Sequence, residues 1–363
     1  YMIKKKIVIA TGGTGGHVFP AYSLANYLKN KNFSIKVTSD KRGFTYLKDY
    51  NNLNLVKISS SPLIKKNIFK LFNSIVIIFF SIIKSLLTLL FDRPSLVVGM
   101  GGYSSFPICF AAFILRIKFI IYENNLIIGK SNKYLLPFAK KIFVSYNELE
   151  GISAKYKDKV IEVGNIIREE IINSNISNHS STSLDSLNIL VLGGSQAAKI
   201  FADEFPLIFK KLRDSKIKIK IYQQCHNSQN DRLSQFYKKA QMDFEIFNFT
   251  SNIIDYYSKS NLVITRSGAS VLGELVNLNI PFISIPLPTS ADNHQYKNAK
   301  FYAKKGYGKF LEEKDIKNEL YNLIMSTFND RSMINSILLN QCSDKNIFEN
   351  INDQIEKILN EKN

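Results

Sequence analysis

A histidine closes a run of four glycines in IVIATGGTGGHVFP, residues 7–20. The apolar residues before the glycines read as a strand, and those after read as a helix. Gly12, Gly13, Gly15 and Gly16 let bare backbone approach a ligand and adopt positive φ without a Cβ penalty. The first N–H groups of the helix have no partner within it and carry partial positive charge. The chemistry this suits is the holding of a phosphate or diphosphate. His17 adds an imidazole that titrates near neutrality, so it can take a proton from a hydroxyl. A helix N-terminus disfavours its protonated form, and a neutral ring can instead bind phosphate. Gly101 and Gly102, before Tyr103 in VVGMGGYSSFP, offer a second such turn, and Gly193, Gly194 and Ser195 a third.

Other phosphate motifs fit less well. A dinucleotide fingerprint needs GxGxxG, and the run from Gly13 fails at Val18, although Asp40 lies where a ribose-binding acid would follow the second strand. A P-loop needs GxxxxGK[ST]; Gly129-Lys130-Ser131 has the ending, but residue 124 is asparagine. Glycine pairs also close turns that hold nothing, so three at strand ends are stronger evidence than one. No DxD occurs, and a strict metal requirement is not expected. Cys109, Cys225 and Cys342 are far apart with no CxxC, which indicates neither a disulfide framework nor a zinc site and suits a reducing cytoplasm.

The elements that must carry these turns alternate. Strands are predicted at 7–11, 34–39, 53–59, 95–99, 118–123 and 141–146, with helical patterns between them. The polar stretch 173–186 reads as a linker. LNILVLGGSQAA (187–198) then repeats the opening device, 181 residues after the first, and strands follow at IKIKIYQQ, EIFNF, NLVITRSG and PFISIPL. At 363 residues, two domains are the default. The pattern predicts an α/β chain of two doubly wound, Rossmann-like parallel-sheet domains facing a cleft, with ligands at the carboxyl ends of the strands. The boundaries expected are 1–165, a linker over 166–186, 187–340, and a terminal amphipathic helix within 341–363 whose docking site is open.

Charge divides the chain. Residues 1–165 hold 24 Lys+Arg and 8 Asp+Glu, so that half carries +16 of the net +18. An anionic partner for that half is expected, either nucleic acid or an acidic membrane surface. A lysine-rich composition bias would not explain its shortage of acids. Residues 67–91, NIFKLFNSIVIIFFSIIKSLLTLLF, place Asn67, Lys70, Asn73, Ser74, Ser81, Lys84, Ser85 and Thr88 in one helical sector about 120° wide. The rest is apolar, more than packing on a sheet needs. Lys65, Lys66 and Arg93 flank it. A membrane span is allowed by length, but it would separate two strands expected in one sheet. A buried core helix competes. The preferred reading is an interfacial helix, with Phe72, Ile75, Phe79, Phe80 and Ile83 toward lipid.

Seven segments occur in order over most of the chain: ATGGTGGHVFPA (10–21), VVGMGGYSSFP (97–107), ENNLIIGKSNKYL (123–135), VGNIIR (163–168), LGGSQAA (192–198), TRSGASVLGEL (265–275) and ADNHQYKNA (291–299). Together they resemble the MurG family, the undecaprenyl-diphospho-muramoylpentapeptide β-N-acetylglucosaminyltransferases of bacterial peptidoglycan synthesis. The resemblance implies a GT-B fold and inverting transfer of N-acetylglucosamine from UDP-N-acetylglucosamine (UDP-GlcNAc) to the C4 hydroxyl of the muramoyl sugar of lipid I, giving lipid II. It implies no required cofactor or metal, and a peripheral place on the cytoplasmic face of the cell membrane. The partners it implies are UDP-GlcNAc, lipid I, an anionic membrane surface and other cell-wall synthesis proteins, and not nucleic acid.

The same resemblance assigns residues. The acceptor diphosphate falls to Gly12, Gly13, Thr14, Gly15, Gly16, Gly101, Gly102 and Tyr103, and His17 is the candidate base. Donor contacts fall to Thr14, Gly15, Gly16, Asn125, Arg168, Ser195, Gln196, Arg266, Ala269, Glu274, Gln295 and Asn298. Glu274 can accept from two ribose hydroxyls, and Gln295 and Asn298 suit sugar hydroxyls. Arg266 either touches the nucleotide or holds its loop. Arg168 either supports diphosphate charge or pins a hinge. The chain departs from the family pattern at Tyr122 (usually histidine), Ile166 (usually proline), Ala197 (usually glycine), His294 (usually glutamine) and Thr250-Ser251. A diacylglycerol glycosyltransferase is the nearest rival enzyme. A non-catalytic basic nucleic-acid-binding protein is the rival of another class, and it leaves Glu274 and the glycine turns without a role.

Overall fold

The computed structural model describes residues 4–13, 15–48, 52–61, 68–174, 186–194, 198–250, 252–341 and 343–361. Thr14, Lys65, Lys66, Asn67, Ser195, Gln196, Ala197, Ser251 and most of the expected linker lie outside them. The chain forms two compact units, one of residues 1–168 with 345–363 and one of residues 169–344.

The first unit runs β1 (Lys6–Thr11), α1 (Gly15–Asn30), β2 (Ser34–Ser39), α2 (Lys41–Leu47), β3 (Asn54–Lys57), α3 (Ile68–Asp92), β4 (Leu96–Gly99), α4 (Phe106–Ile114), β5 (Phe119–Glu123), α5 (Lys130–Leu135), β6 (Lys141–Val144) and β7 (Val160–Glu162). Its strands form one parallel sheet in the order β3-β2-β1-β4-β5-β6-β7. In register, Ile7 faces Leu96 and Ala10 faces Gly99. β4 and β5 are buried along their whole length, as expected of a sheet covered by helices on both faces.

The second unit runs α6 (Glu169–Ile172), β8 (Ser186–Leu192), α7 (Lys199–Asp214), β9 (Lys218–Gln224), α8 (Asn230–Lys239), β10 (Asp243–Phe247), α9 (Ile254–Lys259), β11 (Leu262–Thr265), α10 (Ala269–Asn277), β12 (Phe282–Ser284), α11 (His294–Lys304), β13 (Lys309–Phe310), α12 (Ile316–Asn329) and α13 (Arg331–Asn340). Its parallel sheet is ordered β10-β9-β8-β11-β12-β13. One face of that sheet is filled by Phe201, Phe205 and Phe209 of α7 together with Leu320 and Ile324 of α12.

Each sheet reverses its order once, between β1 and β4 in the first unit and between β8 and β11 in the second. Such switch points are where doubly wound sheets bind ligands. The glycine turns leave the sheets from these four strands. Strands β7 and β13 have three and two residues, too short for periodicity to signal. EIFNF was expected at 245–249; the strand runs Asp243–Phe247.

The terminal helix α14 (Ile347–Asn360) returns to the first unit. Its Ile347, Phe348, Ile351, Ile355 and Ile358 are buried at helical spacing. Phe348 stacks on Tyr27 of α1 with ring centroids 5.0 Å apart, and Glu349 pairs with Lys31 at 2.9 Å. Lys118 donates to the carbonyl of Ile358 at 3.1 Å, capping the negative end of the helix.

Helix α3 is turned opposite to an ordinary amphipathic helix. Its buried positions are Ser74, Ser81, Ser85 and Leu89. Its exposed positions include Phe69, Phe72, Ile75, Phe79, Phe80, Ile83, Leu87 and Phe91. The sequence reading allots part of the apolar face to packing; in the structure most of the inward positions are serines. α4 packs against α3. The buried hydroxyls are satisfied locally, Ser81 donating to Ile77 O and Ser85 to Ser81 O, both at 2.7 Å. α3 joins β3 to β4, which lie in one sheet, and Lys84 ties it to Lys57 O at 2.8 Å. By length and composition it could cross a membrane, but its Lys84 and both flanking strands hold it to one sheet.

Candidate active site

In the first unit the β1 and β4 turns touch. Met100 N donates to Ala10 O at 2.8 Å. Gly12 and Gly13 have φ of +152° and +79°, and Gly101 and Gly102 have +88° and +74°. His17, in the first turn of α1, lies over the second pair. A Cβ on Gly101 would sit 3.1 Å from its Cε1 and 3.3 Å from its Nδ1. Gly101 thus gives the ring its room, whereas a Cβ on Gly102 would stay in ordinary contact, 3.5 Å from the nearest ring atom. Thr11 Oγ1 donates to His17 O at 2.9 Å, fastening the turn to the end of β1. Gly15 and Gly16 open α1, with Gly16 exposed, and Tyr103 stands out into solvent.

Two buried carboxylates hold these loops. Asp40 accepts from Gly43 N at 2.8 Å, capping α2, and from Gly13 N at 3.0 Å. It is committed to backbone, not placed as a ribose acid, and the Gly13 N–H is spent on it. Glu123, at the end of β5, accepts from Gly129 N at 2.9 Å, Asn132 Nδ2 at 3.0 Å, and both N and Nδ2 of Asn125. Asn125 is thus fixed by the residue two before it. The sequence reading passed over Glu123; its only signal is a carboxylate at a strand end followed by two asparagines. Arg168 places its guanidinium 5.7 Å from the centre of the Phe19 ring on α1.

Tyr122 and Ile166, two of the departures from the family pattern, are partners. The Ile166 N–H donates to Tyr122 Oη at 2.8 Å. A proline at 166 would have no such proton. The tyrosine answers a donor that the isoleucine introduces.

In the second unit the β8 and β11 turns meet in the same way. Gly193 N donates to Gln224 Oε1 at 3.1 Å, and Gly194 has φ of +79°. A Cβ on Gly194 would lie 3.9 Å from Cβ and Cγ of Arg266. The Arg266 guanidinium is buried. It donates to the carbonyls of Ile285 and Pro286 at 3.3 and 3.2 Å, pairs with Glu313, and lies 4.6 Å from the centre of the Phe201 ring. Burial pulls its pKa down, and Glu313 opposes that shift. These contacts tie Arg266 to the segment after β12 and to α7.

Glu274 is on α10, which begins at Ala269 directly after Gly268. A helix glutamate usually stands in solvent, yet this one is 5% exposed and accepts from Tyr257 Oη at 2.9 Å. Asn298 is fully buried and donates to Ser267 O at 3.1 Å, tying α11 to the start of α10. Gln295 Oε1 accepts from Leu287 N at 2.9 Å. The His294 ring Nδ1 lies 2.8 Å from Ala291 O, closing the turn ahead of α11, where Asp292 and Asn293 have φ of +51° and +56°. Among the described residues, no three His, Cys, Asp or Glu side chains converge as a metal site would require.

Two doubly wound units with a glycine turn at each switch point make up the GT-B fold. Residues 7–144 match the glycosyltransferase family 28 N-terminal domain, and residues 188–356 match the glycosyltransferase family 28 C-terminal domain. The chain belongs to the MurG family of family 28 glycosyltransferases. It is 35% identical, over 99% of its length and 100% of the relative's, to the UDP-N-acetylglucosamine–N-acetylmuramyl-(pentapeptide) pyrophosphoryl-undecaprenol N-acetylglucosamine transferase of Pelagibacter ubique. It is 34% identical to the enzyme of the same name from Rickettsia felis, over 91% of this chain and 92% of that one. The fold matches the crystal structure of Acinetobacter baumannii MurG with a TM-score of 0.79 at 24% identity, over 98% of this chain and all of the other.

Proposed function

We propose that the chain transfers N-acetylglucosamine from UDP-GlcNAc to the C4 hydroxyl of the muramoyl sugar of lipid I, with inversion, to give lipid II. The observation that carries this reading is the near-full-length identity to relatives named for that reaction. The donor's ribose is held by Glu274 and its diphosphate by the Gly193–Gly194 turn with Ser195 and Gln196. Ala269, Arg266, Gln295 and Asn298 complete the donor contacts of the second unit, and the family resemblance assigns further donor contacts to Thr14, Gly15, Gly16, Asn125 and Arg168. The acceptor's diphosphate is held by the turn from Gly12 to Gly16 with Gly101, Gly102 and Tyr103.

The acceptor oxygen attacks C1 of the sugar as the bond to the diphosphate breaks, and fixed backbone dipoles meet the charge that develops on the leaving UDP. His17 is the candidate acceptor of the C4 hydroxyl proton. Replacing it by alanine lowers kcat if it is the base, and raises only the acceptor KM if it is a phosphate ligand. No metal ion is needed, so EDTA leaves turnover unchanged.

The protein sits on the cytoplasmic face of the membrane through the outward face of α3. Phe72, Ile75, Phe79, Phe80 and Ile83 are exposed there, on the unit that carries nearly all the net positive charge. Sedimentation with anionic vesicles is expected, weakened by salt. The triple change of Ile75, Phe79 and Phe80 to serine abolishes sedimentation without unfolding the protein; undiminished binding places the anchor elsewhere. The reaction is tested with labelled UDP-GlcNAc and two acceptors, a lipid I analogue and diacylglycerol. Label in the muramoyl lipid alone is expected, and label in diacylglycerol alone overturns the assignment.

A further inference from the structure

We propose that Asp40 is the positioning residue of the first glycine turn, holding the Gly12–Gly13 backbone in the shape that receives the acceptor's diphosphate; this rests on the reading of that turn given above. A carboxylate beneath an anion site is at first sight in the wrong place. Its contacts resolve the conflict. Asp40 is 6% exposed, and Oδ1 accepts from two backbone amides, Gly43 N at 2.8 Å and Gly13 N at 3.0 Å. Oδ2 accepts from Ser60 Oγ at 3.3 Å and lies 3.7 Å from Arg42 Nε. The charge is absorbed by these donors. What remains is geometry: the bond to Gly13 N fixes the plane of the Gly12–Gly13 peptide.

A helix cap alone does not account for this arrangement. Capping α2 needs only the bond to Gly43. The bond to Gly13 reaches back 27 residues to the end of another strand. The packing is built for the same approach. A Cβ on Gly43 would lie 2.8 Å from Gly12 Cα, so glycine at 43 is what lets the first turn of α2 rest on the glycine turn. A Cβ on Gly12 would lie 2.7 Å from Asp40 Oδ1. Asp40, Gly43 and Gly12 therefore form one interlocked contact, and without the carboxylate the part-buried Gly13 N–H loses the acceptor that orients it.

The test is steady-state kinetics of the full-length enzyme with UDP-GlcNAc and a short-chain lipid I analogue, with thermal unfolding run on every variant. Asp40→Ser keeps a cap for α2 but is too short to hold Gly13 as well; Asp40→Asn keeps an acceptor oxygen at the right reach. Asp40→Ser is expected to raise the acceptor KM about tenfold and to leave the UDP-GlcNAc KM within about twofold, and Asp40→Asn is expected to recover most of the loss. Unchanged acceptor KM in folded Asp40→Ser overturns the proposal, as does an equal rise in both KM values, which marks general damage. Gly13→Ala separates the two layers. If it raises the acceptor KM while Asp40→Ser does not, only the role of Asp40 fails. If Gly13→Ala leaves the acceptor KM unchanged, the diphosphate reading of the turn fails and the role of Asp40 fails with it.

Discussion

Arg266 shows how much of a charged residue's bonding capacity a loop can take up. Its guanidinium is taken up by two carbonyls, a carboxylate and an aromatic face, and its stem lies beside Gly194. Arg266→Ala leaves Glu313 without its partner, and a loss of about 3 kcal/mol is expected in urea unfolding. Arg266→Lys recovers only part of that, because an ammonium cannot reproduce the planar fork. Tyr122 and Ile166 give a second test. Tyr122→Phe strands the buried Ile166 N–H and is expected to cost about 1–3 kcal/mol. In a protein already carrying Ile166→Pro the same change costs less, a coupling that a double-mutant cycle measures. The glycine turns and Glu274 were legible in the sequence because each belongs to a short contiguous motif. The duties of Asp40 and Glu123 were not. Their partners are set by the approach of strand ends distant in sequence, and a carboxylate that caps backbone looks the same in one dimension as one that binds a sugar.

Helix α3 shows the limit of periodicity for a whole element. Its extent and its polar sector could be read from spacing, but not which sector faces inward, since that depends on what the neighbouring element presents. Ser74, Ser81 and Ser85 take the inward positions while the phenylalanines face out. Ser85→Leu inserts a large side chain at a fully buried position, and destabilisation by about 1–3 kcal/mol is expected in thermal or urea unfolding. The contact between α1 and α14 carries a pH signature. Burial, then the Glu349 carboxylate, push the Tyr27 hydroxyl from its ordinary 10.0 up to about 12. The neutral form is favoured when folded, so this contribution is intact below pH about 10 and is lost as pH rises through about 12. Tyr27→Phe has no proton to lose, and a flatter decline of stability over that interval is expected, measured by urea unfolding at a series of pH values.

For the whole molecule, the alternation of strand and helix and the repeated glycine device were enough to expect two doubly wound sheets. The return of the last helix was not foreseeable, because an amphipathic stripe does not name the surface it fits. That return makes the first unit discontinuous in sequence. Removing residues 345–363 exposes the surface on which Ile351, Ile355 and Ile358 are buried. Each such side chain contributes about 1.5–3 kcal/mol, a sum comparable to the whole stability of a domain. Limited proteolysis of the truncated protein is expected to degrade the first unit and spare residues 186–341; an intact first unit would mean that α14 is dispensable.

Because the amino-terminal sheet relies on the carboxyl-terminal helix, order of birth and order of maturation differ. A ribosome completes residues 169–344 before Phe348 is made, so the later sheet can close while the earlier one still waits for its final buttress. During that wait the outward phenylalanines of α3 are already synthesised and lie on a half-finished body.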